Sequence, residues 1–437
     1  MKMITNAWRD LSNIFPNGFL QGTKHDHAKD FNWPSAVSFE MLHQMYRRNG
    51  LAKAAAKKTM LKVWEETPEF WQSEKPTESE WESMIAQRMR KIRGWSAMIE
   101  ADERAFVGGY SGLIMRIADN KAFDQPVGRV SGGLDALVEL IPAWAGQLRV
   151  SKWDDDTSSP TYGQPQMFLF NEAQVASPGI VEVQQARSFT IHPDRVIIWS
   201  QDGTVHARSD LEAGYNDLID AEKIKGAGGE GFWKSSKGSL ILELDKEAKI
   251  SDMAKSMGVA EADVVEAVSD QVEDFQKGFD KSFLAQGMGV QALKIDLPQP
   301  KEFFDIPVQS FATSVTMPVR ELIGNQTGER SSTEDSKTWA KSCMARRERI
   351  EVPSMEEFLA RLQRFGIIPV GDWTIHWTSL LSASPEEGMN RAKNMAEINK
   401  SSADPLNPDA GETFSTDEIR AEAGFKPQSE VEGDDDE

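Results

Sequence analysis

Cysteine is all but absent: Cys343 is the only one in 437 residues. One thiol cannot close a disulfide within the chain, nor can it build a cysteine-based zinc site. Its simplest role is that of a small buried hydrophobe. Long apolar runs are missing too. No stretch reaches the ~20 apolar residues that a membrane-crossing helix needs. Met1–Asn17 lacks the apolar core of a signal peptide, so synthesis in the cytosol is expected. Positive charge is in short supply: 49 Lys and Arg stand against 69 Asp and Glu, a net charge of −20. Sequence-independent grip on DNA comes from neutralising phosphates. A surface-wide nucleic-acid coat is therefore excluded, whereas a protein that surrounds DNA without holding it is not.

Catalytic signatures are also lacking. There is no GxxxxGK[ST] phosphate loop, so the chain is not an ATP-driven motor, and there is no GxSxG, HExxH or GxGxxG. Of six histidines, His376 stands in the form HxT used by phosphoesterases that pair two such motifs. That chemistry needs a second histidine steered by a hydroxyl. His192-Pro193-Asp194 and His206-Ala207-Arg208 do not supply it, so a histidine in a half-buried strand is expected. His25-Asp26-His27 has nothing nearby to complete a metal site. Asp154-Asp155-Asp156 reads as a solvated turn, because consecutive side chains diverge. No metal or cofactor is expected. The basic patches, Arg346-Arg347-Glu348-Arg349 and Arg88 to Arg93, have glutamates close by, so subunit salt bridges are at least as probable a use as phosphate contact.

What is present is enough apolar residue, 39%, to bury more than one core, and a length that suggests two or three domains. Residues 1–34 read as an arm. Helical periodicity covers 38–65 and 77–105, broken at Gly108-Gly109. The period then shortens. Strands are predicted at 111–117, 148–153, 166–170 and 188–199, making an α+β domain with the preceding helices. A helix is predicted over 210–224, broken by Gly226–Gly231, then a strand at 239–244. The cleanest helical face follows: Val264, Val268, Val272, Phe275, Phe279 and Phe283. It is either a domain core or, through Phe275, Phe279 and Phe283, a subunit contact. A strand is predicted at 292–297, then an apolar stretch over 303–322, a polar loop over 324–335, and a helix over 339–365 bent at Pro353. The last predicted elements are a strand at 373–381, a helix at 385–400 and one short helix near 416–423 within an acidic tail.

Four segments carry a family resemblance. They are Tyr46–Ala52 (YRRNGLA), Arg104–Ile117 (RAFVGGYSGLIMRI), Phe189–Trp199 (FTIHPDRVIIW) and Pro318–Asp335 (PVRELIGNQTGERSSTED). Their order and spacing resemble the portal proteins of tailed bacteriophages. The resemblance implies an α+β portal fold: an N-terminal arm (1–34), a wing (35–208 and 338–383), stem helices (209–226 and 301–323), a clip (227–300), a tunnel loop (324–337), and a small crown with an acidic tail (384–437). It implies a homo-oligomeric ring, usually of twelve subunits, at one capsid vertex of the virion, built in the host cytoplasm and engaged in DNA packaging and ejection. The implied partners are the terminase large subunit, the major capsid protein and scaffold, a head-tail adaptor, and double-stranded DNA passing through. Asn325, Thr327, Arg330, Ser331, Ser332 and Thr333 would face that DNA. Two other readings stay open: a different phage head or adaptor component, and a phosphoesterase using His376.

Overall fold

The computed structural model describes residues 27–73, 79–173, 187–236, 240–244, 249–276, 288–292, 300–324, 329–381, 385–402 and 413–425. After a single helical turn at His27–Asp30 come two helices, α1 (Phe39–Arg48) and α2 (Gly50–Val63), joined by one residue. Asn49 closes α1 and caps α2, its side-chain oxygen accepting from Leu51 N (2.9 Å) and Ala52 N (3.2 Å). Side-chain oxygens at this position satisfy amides that the first helical turn leaves bare. Strand β1 (Glu69–Trp71) follows, then α3 (Glu80–Lys91) and α4 (Gly94–Gly108). The sequence predicts one helix here. The structure breaks it at Arg93, whose φ of +53° ends the first helix. Helix α4 is buried along Ala97, Met98, Ala101, Ala105, Phe106 and Val107, and sits at the centre of the main core.

Six strands follow: β2 (Tyr110–Ile117), β3 (Leu137–Trp144), β4 (Leu148–Trp153), β5 (Pro165–Asn171), β6 (Ser188–Ile191) and β7 (Val196–Ser200). They form two antiparallel sheets, β3-β2-β7 and β4-β5-β6. Alternation along β2 divides the interior: Leu113, Met115 and Ile117 join the helical core, while Ile114 joins a second core with Leu148, Phe168, Phe170 and Ile191. Period two puts alternate side chains on opposite faces. The sequence predicts one strand over 188–199. The structure divides it with a 3-10 turn at Pro193–Arg195, and its halves enter different sheets.

The chain then runs through α5 (Tyr215–Ser236), β8 (Leu240–Leu244), α6 (Ile250–Met257), α7 (Val264–Gln276), β9 (Met288–Ala292), α8 (Pro300–Ser314), α9 (Val319–Ile323) and α10 (Glu329–Arg346). Several expectations are corrected here. Helix α5 continues through Gly226–Gly231, because glycine weakens a helix by only about 1 kcal/mol per residue and does not forbid it. The strand that pairs with β8 is Met288–Ala292; of the strand predicted over 292–297, residues 293–297 lie outside the described residues. The apolar stretch 303–322 is two helices parted at Thr316, whose φ is +52°. The polar stretch read as a loop is helical from Glu329 onward.

A π-helical segment, Arg347–Glu351, joins α10 to α11 (Val352–Arg364). It stands just before Pro353, the position at which the sequence predicts a bend. A proline supplies no N–H to the carbonyl one turn back, and a π turn accommodates that break. Strand β10 (Thr374–His376) pairs with β1, and α12 (Pro385–Ser402) and α13 (Thr416–Glu422) end the described chain. The α+β class stands.

Candidate functional site at the root of the helix pair

Helices α5 and α8 lie antiparallel. Gly214, just before α5, meets the last turn of α8, where an added Cβ would come within 2.3 Å of Ser314 Oγ and 2.6 Å of Phe311. One turn further on, Ser310 Oγ donates to Asp217 Oδ2 across 2.9 Å. Burial raises the Asp217 carboxyl, with the Ser310 hydroxyl opposing. Leu218, Ala221, Val308, Phe311, Ala312 and Val315 seal this end of the pair. Away from it, apolar side chains reach solvent: Phe303 is 53% exposed, Ile306 66% and Phe232 70%.

The root is tied to the body from several sides. Asn49 Nδ2 donates to Glu222 (2.9 Å) and Trp33 Nε1 to Asp220 (3.1 Å). Lys58 Nζ donates to the carbonyl oxygens of Glu321 (2.6 Å) and Leu322 (3.2 Å), closing the end of α9. Gly324 follows at φ +82°, a conformation suited to glycine after a helix.

Beneath the root lies a buried ionic cluster. Arg346 reaches Asp102 (2.5 Å), Asp210 (3.2 Å) and Glu351 (3.4 Å), and its guanidinium lies over the Phe106 ring. Trp64 Nε1 donates to Asp102 (2.9 Å), Trp199 Nε1 to Glu351 (2.8 Å), and Gln201 Nε2 to Asp210 (2.7 Å). Three acids against one cation cannot all be comfortably ionised away from water. Burial pushes the Glu351 carboxyl well up, and the neighbouring Asp102 pushes it further. Burial also raises Asp210, with Arg346 opposing. Burial disfavours the charged form of Arg346, but Asp102, Asp210 and Glu351 prevail and hold its pKa above the usual arginine range. The cluster joins α4, the approach to α5, the end of α10 and the π segment, so the helix pair and α10 share one anchor.

The basic run at Arg346-Arg347 therefore faces inward. Arg347 donates to the carbonyl oxygens of Val63 (2.7 Å) and Thr378 (2.7 Å) and covers the Trp377 ring at 4.0 Å. Neither residue is free for phosphate. Asp102, Asp210 and Glu351 are the residues that sequence reasoning missed. The available signal was an arginine pair amid apolar helix positions.

The resemblance segments form structural knots. In FTIHPDRVIIW, His192 Nδ1 accepts from Asp194 N (3.1 Å), and buried Arg195 pairs with buried Asp119 (2.6 Å). Arg361 of α11 donates to the carbonyl oxygens of Pro193 (2.7 Å) and Val196 (2.6 Å). In RAFVGGYSGLIMRI, Gly109 takes φ +87° and Ser111 Oγ donates to Ala101 O (2.6 Å).

Of the residues expected to face DNA, Arg330, Ser331, Ser332 and Thr333 lie in the first turns of α10, while Asn325 and Thr327 lie outside the described residues. Phe275 lies in the last turn of α7, and Phe279 and Phe283 lie outside the described residues. His25 and Asp26 do too. His376 stacks on Trp71 at 3.9 Å, His206 stacks on Trp153, and His192 is bound into its own turn. In the Asp154 turn, Ser159 Oγ (2.6 Å) and Thr161 Oγ1 (2.7 Å) donate to Asp154. Among the described residues no group of three His, Cys, Asp or Glu side chains is placed to hold a metal ion. Cys343 is buried, and burial pushes its thiol up to about 12. No helix among the described residues is long and apolar enough to cross a membrane.

The described residues form a mixed helix-and-strand body with an antiparallel helix pair rooted in it. The sequence profile of the phage portal protein family matches residues 40–401, and the chain belongs to that family. Solved structures share the fold. A chain of the virion of a native gene transfer agent particle is 13% identical with a TM-score of 0.50, over 90% of this chain and 95% of that one. A chain from the neck of an empty gene transfer agent particle, computed with C6 symmetry, is also 13% identical with a TM-score of 0.51, over 89% of this chain and 94% of that one. No curated protein matches.

Proposed function

We propose that the chain assembles with copies of itself into a closed ring at one capsid vertex, through which double-stranded DNA is packaged and ejected. The observation that carries this reading is the helix pair α5–α8. It is sealed at its root and leaves Phe232, Phe303 and Ile306 exposed. Apolar surface of that kind calls for a cover, and neighbouring copies in a ring supply one. A particle neck with C6 symmetry, as in the structural neighbour, suits a ring whose subunit number is a multiple of six, and twelve is the number we propose.

In this reading 209–226 and 301–323 are the stem helices. Residues 35–208 with 338–383 form the wing that meets the major capsid protein and scaffold. Residues 227–300 form the clip that receives the terminase large subunit and later the head-tail adaptor. The segment 324–337, with Asn325, Thr327, Arg330, Ser331, Ser332 and Thr333, faces the channel. The net charge of −20 lets DNA slide, since like charge disfavours adhesion. Phe275, Phe279 and Phe283 contribute to subunit contact. Assembly takes place in the host cytoplasm, and the ring resides in the virion. The protein works as a structural part and not as an enzyme.

Negative-stain electron microscopy with mass determination tests this. Rings of about a dozen subunits with a central hole are expected. A monomer or dimer that forms no ring even with capsid and scaffold proteins present overturns the reading.

A further inference from the structure

A helix-turn-helix stands between β8 and β9. Helix α6 ends at Gly258, whose φ is +70°, and Val259 N returns to Ala254 O across 3.0 Å. A 3-10 turn, Glu261–Asp263, leads directly into α7. Met253, Ala254 and Val264 are buried at the crossing, and Met257, Val259 and Val268 pack against them. The order is legible once seen: an apolar pair, a glycine for the left-handed turn, then an apolar stripe on the second helix. Read alone, the second helix shows only its stripe.

DNA-binding proteins use this arrangement to lay the second helix in the major groove. Charge excludes that use here. From Glu261 to Gln276 there are six acids and no Lys, Arg or Asn. Phosphates would be repelled along the whole approach, and the side chains that most often read base edges are missing apart from two glutamines. The outward face is nevertheless built like a contact surface. Glu261, Ala262, Asp263, Val265, Glu266, Ser269 and Asp270 are all exposed, and Val265, at 80%, is among the barest apolar side chains of the chain. An apolar centre rimmed by charge of one sign selects a partner carrying the opposite rim.

We propose that this face docks a basic protein segment, with Lys and Arg meeting Glu261, Glu266 and Asp270 and an apolar side chain covering Val265. The proposal rests on the reading of 227–300 as the docking clip, and gives the chemistry of what docks there.

The test uses the full-length protein and three probes: a synthetic amphipathic peptide with a leucine stripe flanked by Lys and Arg, the same peptide with Glu in their place, and a short DNA duplex. The basic peptide is expected to bind, more weakly as salt rises, and the other two are not. Glu261→Lys/Glu266→Lys/Asp270→Lys is expected to weaken peptide binding about tenfold or more, the effect of losing roughly 1.4 kcal/mol. Val265→Ser is expected to weaken it without altering the salt dependence. A control that reverses exposed acids elsewhere, Asp124→Lys/Asp155→Lys/Asp372→Lys, is expected to leave it near wild type. Equal losses in the two triple variants overturn the proposal, since total charge would then explain the binding. Duplex binding tighter than peptide binding also overturns it. Ring formation by electron microscopy is scored in parallel. Rings that form normally while peptide binding is lost separate the docking face from the portal reading. Site-specific peptide binding by a chain that never forms rings retires the portal reading and leaves the face standing.

Discussion

The indole of Trp199, near the C-terminal end of β7, donates to Glu351 in the π segment across 2.8 Å, and both side chains are fully buried. The bond joins the central sheet to the turn that links α10 with α11. It also fixes a carboxyl beside Asp102 and Arg346, where three acids face one guanidinium.

Glu351 therefore sets a pH dependence. Its folded-state pKa is raised by burial and by Asp102, so the folded protein keeps a proton that the unfolded chain loses near pH ~4.3. The stabilisation is fully present below that unfolded value and is lost as pH rises through the raised folded value. Glu351→Gln keeps the shape and the bond from Trp199 but removes the titration. Urea unfolding across pH is expected to show wild type losing stability relative to Glu351→Gln as pH rises. Parallel profiles would refute a raised Glu351. Arg346→Ala, which strands three acids, is expected to lose about 3–5 kcal/mol.

Asn49 performs two tasks with one side chain: its oxygen caps α2 and its amide holds Glu222 of α5. Asn49→Ala is expected to cost about 1 kcal/mol from the cap alone, read as a lower thermal midpoint. Asn49→Asp keeps the cap but turns a repelling charge on Glu222. It is expected to loosen α5 selectively, seen as faster amide exchange in the first turns of that helix. Equal exchange in wild type and Asn49→Asp would deny the link.

Gly109 and Gly163 both take positive φ, +87° and +78°, but only Gly109 is crowded, with Ala207 O lying 2.4 Å from where a Cβ would stand. Gly163→Ala isolates the dihedral penalty of about 1 kcal/mol. Gly109→Ala adds a clash with a carbonyl that cannot move away, and is expected to lose about 1–3 kcal/mol more. Chemical denaturation of the two variants side by side reads the difference.

Much of this fold is legible in the sequence because local rules governed it. The end of α4 at Gly108-Gly109 and the alternation along β2 needed no tertiary information. Strand β3 escaped notice because Pro142 interrupts it, which is tolerated since β3 lies at a sheet edge. Strand β1 escaped because it has only three residues and its partner lies far along the chain; that partner, β10, lies inside the strand predicted over 373–381 but is only Thr374–His376. The ionic cluster could not be read, since Asp102, Asp210 and Glu351 are acids of a type usually placed at the surface. The approach of Arg346, two tryptophans and Gln201 makes their burial tolerable. The loop expected over 324–335 failed from Glu329 on, because a polar helix with no apolar stripe carries no periodic signal.

The exposed part of the helix pair separates ring assembly from monomer folding. Phe303 and Ile306 are 53% and 66% exposed in the single chain. Replacing exposed side chains alters monomer stability by no more than about 0.5 kcal/mol each. If neighbouring copies cover these residues, each replacement removes apolar burial worth about 1.5–3 kcal/mol per side chain. A closed ring repeats that loss at every interface. Phe303→Ser/Ile306→Ser is therefore expected to leave the monomer's thermal midpoint almost unchanged while shifting the mass distribution from rings to single chains. Phe311→Ser, at a fully buried position between the two helices, is expected to lower the midpoint itself. Rings that persist undiminished in Phe303→Ser/Ile306→Ser would place the subunit contacts elsewhere on the chain.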